Sequence, residues 1–341
     1  MIEYLPWSQS VYAECLNDYL FGSFSILDIE LGGQCNYHCI YCDSPNRDKK
    51  CMISLDKIQT LFDNYPIKWV FICGLGEPTV GGNLSTLHNI LTLCEKHNAK
   101  CSIFTNLSLV NGELNRFIDI GVLNLLFKFD SFDFVKAMRL YGASNINKHY
   151  FNIDRIKKMT HLQDGKTNIA ASIVPTIINK DEIIKIVHDC LENNIYPLVA
   201  ELEDSGDAHD YYSQLALSDA ELLSIKKQVN VEIGCDYHIP VCPAVICGIH
   251  IRYDGKITVD EYTGLSCHWF WLQEPKTHII GDFNNEPIDD LLFKIEEYRI
   301  KQFANIEYIL KKKSHSVFGG CGGDVISLLN NYTDVFKRRN L

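Results

Sequence analysis

Three closely spaced cysteines are the residues of this sequence best suited to chemistry. Cys35, Cys39 and Cys42 form the pattern C-x3-C-x2-C directly after a predicted strand. Three thiolates on one short loop can bind three irons of a [4Fe-4S] cluster and leave the fourth iron without a protein ligand. A structural zinc ion is the alternative, but zinc prefers four closed ligands, and only His38 offers a fourth here. The spacing therefore favours an iron-sulfur cluster.

An iron without a protein ligand can chelate the amino and carboxylate groups of S-adenosylmethionine (SAM). An electron from the cluster then breaks the S–C5′ bond and releases a 5′-deoxyadenosyl radical. This chemistry requires that the surrounding elements bring further polar groups to the end of the strand from which the cysteines emerge.

Those elements alternate between strand and helix patterns. Apolar runs typical of strands are followed by stretches with apolar residues three and four apart, and Ser54 is placed to cap one of these helices. The strand candidates are SILDIEL, WVFICGL, CSIFTNL, LNLLFKF, IAASIVPTI and PLVAELE. Six successive β–α units predict a parallel sheet that right-handed crossovers curl into a partial or complete barrel. In such folds the chemistry lies at the carboxyl ends of the strands.

The cysteine spacing, with Tyr41 just before the third cysteine, resembles the radical SAM superfamily. The resemblance implies an α/β fold with a partial (β/α)6 TIM-like barrel, and it implies that Tyr41 packs against the adenine of SAM. The segment Gly74-Leu-Gly76-Glu77-Pro78 ends the second predicted strand and is similar to the family's glycine-rich segment. There the backbone and the acidic residue receive the SAM amino group, although an ordinary turn is an open alternative for this string.

Polar residues also end later predicted strands. Thr105 and Asn106 stand where the family often has a polar pair near SAM, and an asparagine that closes a turn is the alternative. The further SAM ligands that the resemblance implies are Lys128, Asp130, Ser172 and Arg139, the last as a partner of the SAM carboxylate.

A second cysteine group lies in the C-terminal region. Its members are Cys242, Cys247, Cys267 and Cys321. The residues around them, including a predicted hairpin at Tyr253-Asp254-Gly255-Lys256, resemble the SPASM and twitch domains, which place an auxiliary [4Fe-4S] cluster beside the substrate. The match is incomplete, because Asp260 stands where the family commonly has a cysteine. One auxiliary cluster is expected, with buried thiols as the alternative and Asp260 as a spare ligand.

The remaining cysteines have different expected places. Cys235 precedes the second group on a predicted loop, where an exposed thiol could donate a hydrogen atom to a substrate radical, as an epimerase requires. Cys73, Cys94, Cys101 and Cys190 lie in predicted strands or helices and are expected in the core. Glu201 and Glu203 end the sixth strand and could face the substrate, or they are exposed carboxylates.

Composition restricts the partners and the compartment. The 341 residues carry 32 Lys and Arg against 43 Asp and Glu, a net charge of −11 that disfavours a nucleic-acid substrate. The start of the chain shows no signal-peptide pattern, and no apolar run reaches the roughly 18 residues of a membrane span. We expect a cytoplasmic protein without a membrane partner, in which cysteines bind metal rather than form disulfides.

The expected organisation is an N-terminal extension (1–22), the barrel (23–231) and a smaller twitch-like domain (232–341). The expected function is hydrogen abstraction from a small polar metabolite, in dehydrogenation or epimerisation, with SAM consumed as the radical source and an external donor such as flavodoxin or ferredoxin supplying electrons. Radical modification of a ribosomally made precursor peptide is the close alternative. A glycyl-radical activase and a non-catalytic zinc-binding scaffold are the others.

Overall fold

The structure is a computed structural model that describes residues 9–20, 22–42, 49–72, 74–109, 112–160, 169–204, 206–239, 244–260, 277–310 and 317–318.

Six parallel strands form the main sheet. They are β1 (Ile26–Ile29), β2 (Trp69–Ile72), β3 (Lys100–Thr105), β4 (Leu123–Lys128), β5 (Ile169–Ile173) and β6 (Tyr196–Val199). Each strand pairs in parallel with the next in chain order, as right-handed β–α crossovers produce. All six predicted strands are confirmed. Each apolar run is long enough to form one strand of the sheet, and each is followed by a polar loop.

Helices connect these strands and cover one face of the sheet. They are α1 (Gln9–Leu20), α2 (Leu55–Asn64), α3 (Gly81–His97), α4 (Gly112–Asp119), α5 (Phe134–Tyr141), α6 (Asn147–Thr160), α7 (Ile183–Glu192), α8 (Tyr212–Leu215), α9 (Asp219–Ile233), α10 (Ala244–Cys247) and α11 (Ile288–Leu310), with a 3₁₀ turn at Gly206–Asp210. The predicted cap is confirmed, since Ser54 Oγ accepts from the amide of Lys57. No helix in the described ranges is long and apolar enough to cross a membrane.

Three further strands extend the same sheet beyond β1. Strand β7 (Ile249–Ile251) pairs in parallel with β1, and β8 (Lys256–Asp260) and β9 (Thr277–Asp282) continue antiparallel. The predicted hairpin is confirmed between β7 and β8, where Gly255 adopts a φ of +80°. The predicted boundary after residue 231 falls in the last turn of α9, and the division into domains remains a prediction.

A row of buried side chains crosses the sheet on the face opposite the helices. In strand register, His250 is paired with Asp28, Asp28 with Phe71, Phe71 with Ser102, and Ser102 with Asn124. Strand side chains alternate between faces, so Leu27 and Ile29 pack in the helix-covered core. The inner face therefore carries buried polar side chains, interrupted at Phe71.

The outer edge of β6 is covered by one tyrosine. The Tyr237 hydroxyl accepts a 2.7 Å hydrogen bond from the amide of Val199 and donates toward the Pro197 carbonyl at 3.3 Å. Tyr237 is itself buried. The hydroxyl thus replaces part of the hydrogen bonding that a neighbouring strand would supply.

Candidate active site

The cysteine loop (residues 35–42) leaves the carboxyl end of β1 and is held by the last turn of α5. The amides of His38 and Ile40 each donate a 3.0 Å hydrogen bond, to the carbonyls of Tyr141 and Leu140 respectively. Gly142 caps α5 with a φ of +54°, and a Cβ atom at this position would lie 1.9 Å from the His38 carbonyl oxygen. Only glycine allows this approach.

The three predicted cluster cysteines are half-buried thiols on this loop. Desolvation raises the pKa of Cys39 well above its ordinary value, and the charges of Cys42 and Cys35 raise it further. Within the described ranges, no three Cys, His, Asp or Glu side chains converge closely enough to hold one metal ion. A four-iron cube binds each thiolate through a different iron, so its ligands need not converge on one point. Three neighbouring thiols without a fourth fit such a cluster better than zinc.

The glycine-rich segment packs directly against the start of the cysteine loop. Gly74 and Gly76 have φ values of +98° and +63°, and a Cβ atom at Gly76 would lie 2.3 Å from the carbonyl oxygen of Gly32. The amide of Glu77 donates a 2.8 Å hydrogen bond to the carbonyl of Gln34. The structure therefore brings the glycine-rich segment beside the cysteines, as the sequence predicts.

The carboxylate of Glu77 is occupied by the protein's own donors. It accepts hydrogen bonds from the Thr105 hydroxyl at 2.6 Å, from the Asn106 amide at 2.6 Å, and from the Thr79 hydroxyl and amide at 2.6 and 3.1 Å. Burial raises its pKa, and these donors oppose that shift. Glu77 thus fastens the loop after β2 to the end of β3, a role that the sequence analysis did not assign.

The side chain of Asn106 points to the cysteine loop. Its amide nitrogen donates to Asn36 Oδ1 at 2.9 Å and lies 3.8 Å from Cys35 Sγ, within hydrogen-bonding distance of a sulfur. Its amide oxygen accepts from the Ser108 amide and hydroxyl at 2.9 and 2.6 Å. These acceptor contacts fix which end of the amide is nitrogen.

His149 of α6 holds the backbone of Asn106 by a hydrogen bond. The sequence analysis did not identify this residue. Its Nδ1 donates a 2.7 Å hydrogen bond to the Asn106 carbonyl. The ring is fully buried beside Tyr141 and Tyr37, at centroid distances of 5.2 and 6.5 Å. Burial lowers the pKa of His149 to about 4, so the imidazole is neutral at pH 7. A lone histidine more than a hundred residues from the cysteines has no local pattern that would reveal this contact.

Three more predicted SAM ligands lie together at the ends of β4 and β5. Lys128 Nζ lies 4.9 Å from the centre of the Tyr41 ring and donates to Ser172 Oγ at 3.4 Å. It also lies 3.7 Å from Asp130 Oδ2, which accepts the Tyr41 hydroxyl. Asp130 is fully buried, and its other carboxylate oxygen accepts from the Val174 amide at 2.7 Å.

Other predicted residues are not brought to this cluster of side chains. Arg139 is exposed on α5. Cys235 is exposed after α9. Burial and, to a smaller extent, Cys235 raise the pKa of Tyr196, the first residue of β6, so Cys235 lies at the end of the strands opposite the cysteine loop. Glu201 accepts a 2.9 Å hydrogen bond from the Phe318 amide, and Glu203 is exposed.

The second cysteine group is described only in part. Cys247 is buried at the end of α10, two residues before β7. Cys242, Cys267 and Cys321 lie outside the described residues, as does Cys73. Cys94, Cys101 and Cys190 are buried in the core, as the sequence predicts.

A buried charged group joins β7 to the barrel. His250 lies with Nδ1 3.1 Å from Asp28 Oδ2 and with Nε2 3.6 Å from Glu30 Oε1. Burial opposes protonation, but the charge and hydrogen bond of Asp28, together with the nearby Glu30 carboxylate, raise the pKa of His250 to about 9. Glu30 also packs against Gly74, where a Cβ atom would lie 2.9 Å from its Oε1.

Comparisons with known proteins place this geometry in context. No protein-family model matches the chain, and neither does any curated protein. Among solved structures, Streptococcus suis SuiB bound to the precursor peptide SuiA is 17% identical with a TM-score of 0.55, over 89% of this chain and 72% of SuiB. SuiB bound to SAM is 19% identical with a TM-score of 0.56, over 82% of this chain and 68% of SuiB. The enzyme anSMEcpe with bound SAM and the Cp18Cys peptide is 14% identical with a TM-score of 0.58, over 92% and 95% of the two chains.

These structures are radical SAM enzymes with SPASM-type domains. This chain therefore has the fold of the radical SAM superfamily, with a partial barrel and a C-terminal extension of its sheet.

Proposed function

We propose that this chain is a radical SAM enzyme that modifies a peptide substrate. The observation that carries the proposal is the cysteine loop at the carboxyl end of β1, packed against the glycine-rich segment through the close approach of Gly76 and Gly32. In this fold that position is where a cluster and SAM would meet. The described cysteines fit a [4Fe-4S] cluster, with Cys35, Cys39 and Cys42 as its ligands.

When bound, the cluster supplies the electron that cleaves SAM to a 5′-deoxyadenosyl radical. The chain's own residues orient SAM. The backbone at Gly74 and Gly76 carries no side chain and suits the SAM amino group, since the Glu77 carboxylate already accepts from Thr105 and Asn106. Lys128 and Ser172 offer an ammonium and a hydroxyl for the SAM carboxylate or ribose, and Tyr41 offers a ring for the adenine.

A peptide substrate replaces the small metabolite that the sequence analysis preferred. The solved structures include SuiB with the precursor peptide SuiA and anSMEcpe with the Cp18Cys peptide. These neighbours support the alternative. A protein such as flavodoxin or ferredoxin would supply the electron.

An auxiliary [4Fe-4S] cluster held by Cys242, Cys247, Cys267 and Cys321 is part of the proposal. Four thiolates would satisfy every iron, which suits electron transfer or positioning better than substrate ligation. Fully reconstituted protein should then carry about eight irons, as two four-iron clusters require. The triple variant of Cys35, Cys39 and Cys42 should keep about half of that iron.

The test of the central proposal is the triple cysteine-to-alanine variant, with Cys51→Ala as the matched control because Cys51 is also half-buried. Anaerobically reconstituted parent and control should produce 5′-deoxyadenosine and methionine from SAM with dithionite, and the triple variant should produce neither. Cleavage by the triple variant at the parent rate would contradict the proposal. Stoichiometric S-adenosylhomocysteine with substrate modification would show that SAM is a methyl donor instead.

The substrate class is tested separately. Purified enzyme is incubated with SAM, reductant and either a precursor peptide encoded beside its gene or a panel of aminocyclitols, sugars and nucleosides. A mass change in the peptide that depends on Cys35, Cys39 and Cys42 supports the proposal. Turnover of a metabolite with no change in any neighbouring peptide would reverse it.

A further inference from the structure

We infer that the side-chain amide of Asn106 is a hydrogen-bond donor to the Cys35 sulfur and sets the reduction potential of the cluster that this sulfur would bind. The inference rests on the proposed function, because it concerns the cysteine loop as a cluster site. It assigns Asn106 a role that acts through Cys35, which makes it a positioning residue rather than a catalytic one.

The geometry identifies the donor. Asn106 Nδ2 lies 3.8 Å from Cys35 Sγ and 2.9 Å from Asn36 Oδ1, so its two N–H bonds have two separate acceptors. The amide cannot be turned round without loss, because its oxygen already accepts two hydrogen bonds from Ser108. The nitrogen is therefore held toward the sulfur.

The backbone of Asn106 is also held by hydrogen bonds. Its amide donates to Glu77 Oε2 at 2.6 Å, and its carbonyl accepts from His149 Nδ1 at 2.7 Å. Both partners are buried, and Asn106 itself is 7% exposed. Every polar group of Asn106 is thus engaged by the described residues. Among the three cysteines of the cysteine loop, Asn106 donates to Cys35.

The consequence for a cluster follows from charge. A [4Fe-4S] cluster gains one negative charge when it is reduced, and hydrogen bonds to its sulfurs are among the factors that set its potential. An N–H donor at Cys35 stabilises the reduced form more than the oxidised form. Loss of the donor should make the cluster harder to reduce, and a carboxylate in its place should do so further.

The experiment is an EPR-monitored redox titration of the reconstituted full-length protein without SAM. Asn106→Ala removes the donor and should reduce the one-electron equilibrium constant about tenfold, which is a shift of about −59 mV. Asn106→Asp should shift the potential further in the same direction. Asn89→Ala is the matched control, because it also removes an asparagine amide, but one that is exposed on α3 and donates to the Ser85 carbonyl of the same helix. The control should titrate as the parent does.

Thermal unfolding and iron content are measured for each variant, so that a variant that does not fold or bind a cluster is recognised. If Asn106→Ala fails in this way, Asn106→Asp provides the test. Potentials unchanged in both Asn106 variants would overturn the inference, and so would an equal shift in Asn89→Ala. Those results would leave dithionite-driven SAM cleavage by the parent intact. A parent protein that binds no cluster would instead refute the proposed function.

Discussion

The carbonyl oxygen of His38 lies against the backbone of Gly142, so closely that a Cβ atom there would be 1.9 Å away. The contact joins the cysteine loop to the end of α5. Because the two residues are more than a hundred positions apart, the loop is held by a helix that forms well after it in the chain.

Gly142→Ala should displace the cysteine loop. The alanine would have to keep a φ near +54° and would clash with a backbone atom that cannot rotate away. Reconstituted protein should hold less iron at Cys35, Cys39 and Cys42 and should unfold at a lower temperature. Iron content and thermal unfolding measure the two effects.

Gly234→Ala is the control for that variant. Gly234 also caps a helix with a positive φ, +78°, but no atom lies within 4 Å of its Cβ position. Its replacement should cost about 1 kcal/mol from backbone strain and should leave the iron content unchanged. An equal loss of iron in both variants would show that the contact with His38 is unimportant.

Glu77→Gln should destabilise the protein by about 1–3 kcal/mol, the range for a buried group that loses its hydrogen-bond partner. A glutamine must direct its NH₂ group at one of the donors that Glu77 now accepts, such as the Thr105 hydroxyl or the Asn106 amide. Glu192→Gln, on the exposed surface, should change stability by less than about 0.5 kcal/mol. Chemical denaturation measures the free energy of unfolding of both variants. Equal values would contradict the role of Glu77 in joining the loop after β2 to the end of β3.

Stability should fall at alkaline pH through His250. Its pKa in the folded protein is about 9 against an ordinary value of 6.5, so the protonated ring stabilises the fold fully below about pH 6.5. That contribution, about 3 kcal/mol from the shift, should be lost as the pH rises through 9. Denaturation from pH 6 to pH 9.5 measures it. His250→Gln should remove this slope, and an unchanged slope in that variant would assign the effect to other groups.

Tyr237→Phe should weaken the edge of β6. The variant keeps the ring but leaves the buried amide of Val199 without the hydroxyl that now accepts from it at 2.7 Å. A loss of about 1–3 kcal/mol follows, with faster amide exchange at Val199. Tyr211→Phe, at a tyrosine that is 43% exposed, should have no measurable effect. Unchanged exchange at Val199 would mean that the hydroxyl does not protect this edge.

Much of the barrel was predictable because its signals are local. Each strand is a short apolar run, and the cysteine spacing is a local pattern with a known chemical use. The exposure of Arg139 was also readable, since Ala137, Leu140 and Tyr141 form the buried face of α5 and helical geometry turns residue 139 away from it.

The contacts that connect distant segments were not predictable. No local pattern identifies His149 as the partner of Asn106, or Tyr237 as the cover of β6. Nor does the composition of β7 reveal that it pairs with β1, because a strand of three residues fits many edges. The hydrogen bonds of Glu77 were unpredictable for a related reason, since its donors Thr105 and Asn106 come from another strand. Its role toward the SAM amino group stays a prediction.

The pairing of β1 with β7 has a consequence for synthesis on the ribosome. The two strands meet through residues such as Asp28 and His250, which are 222 positions apart. At 5–20 residues per second, roughly 10–40 s pass between the emergence of β1 and that of its second partner. During this interval one side of β1 presents unpaired amides and carbonyls, which can pair with another nascent chain. We therefore expect protein yield to depend on chaperone supply, and truncations before residue 249 to aggregate even though all six barrel strands are present.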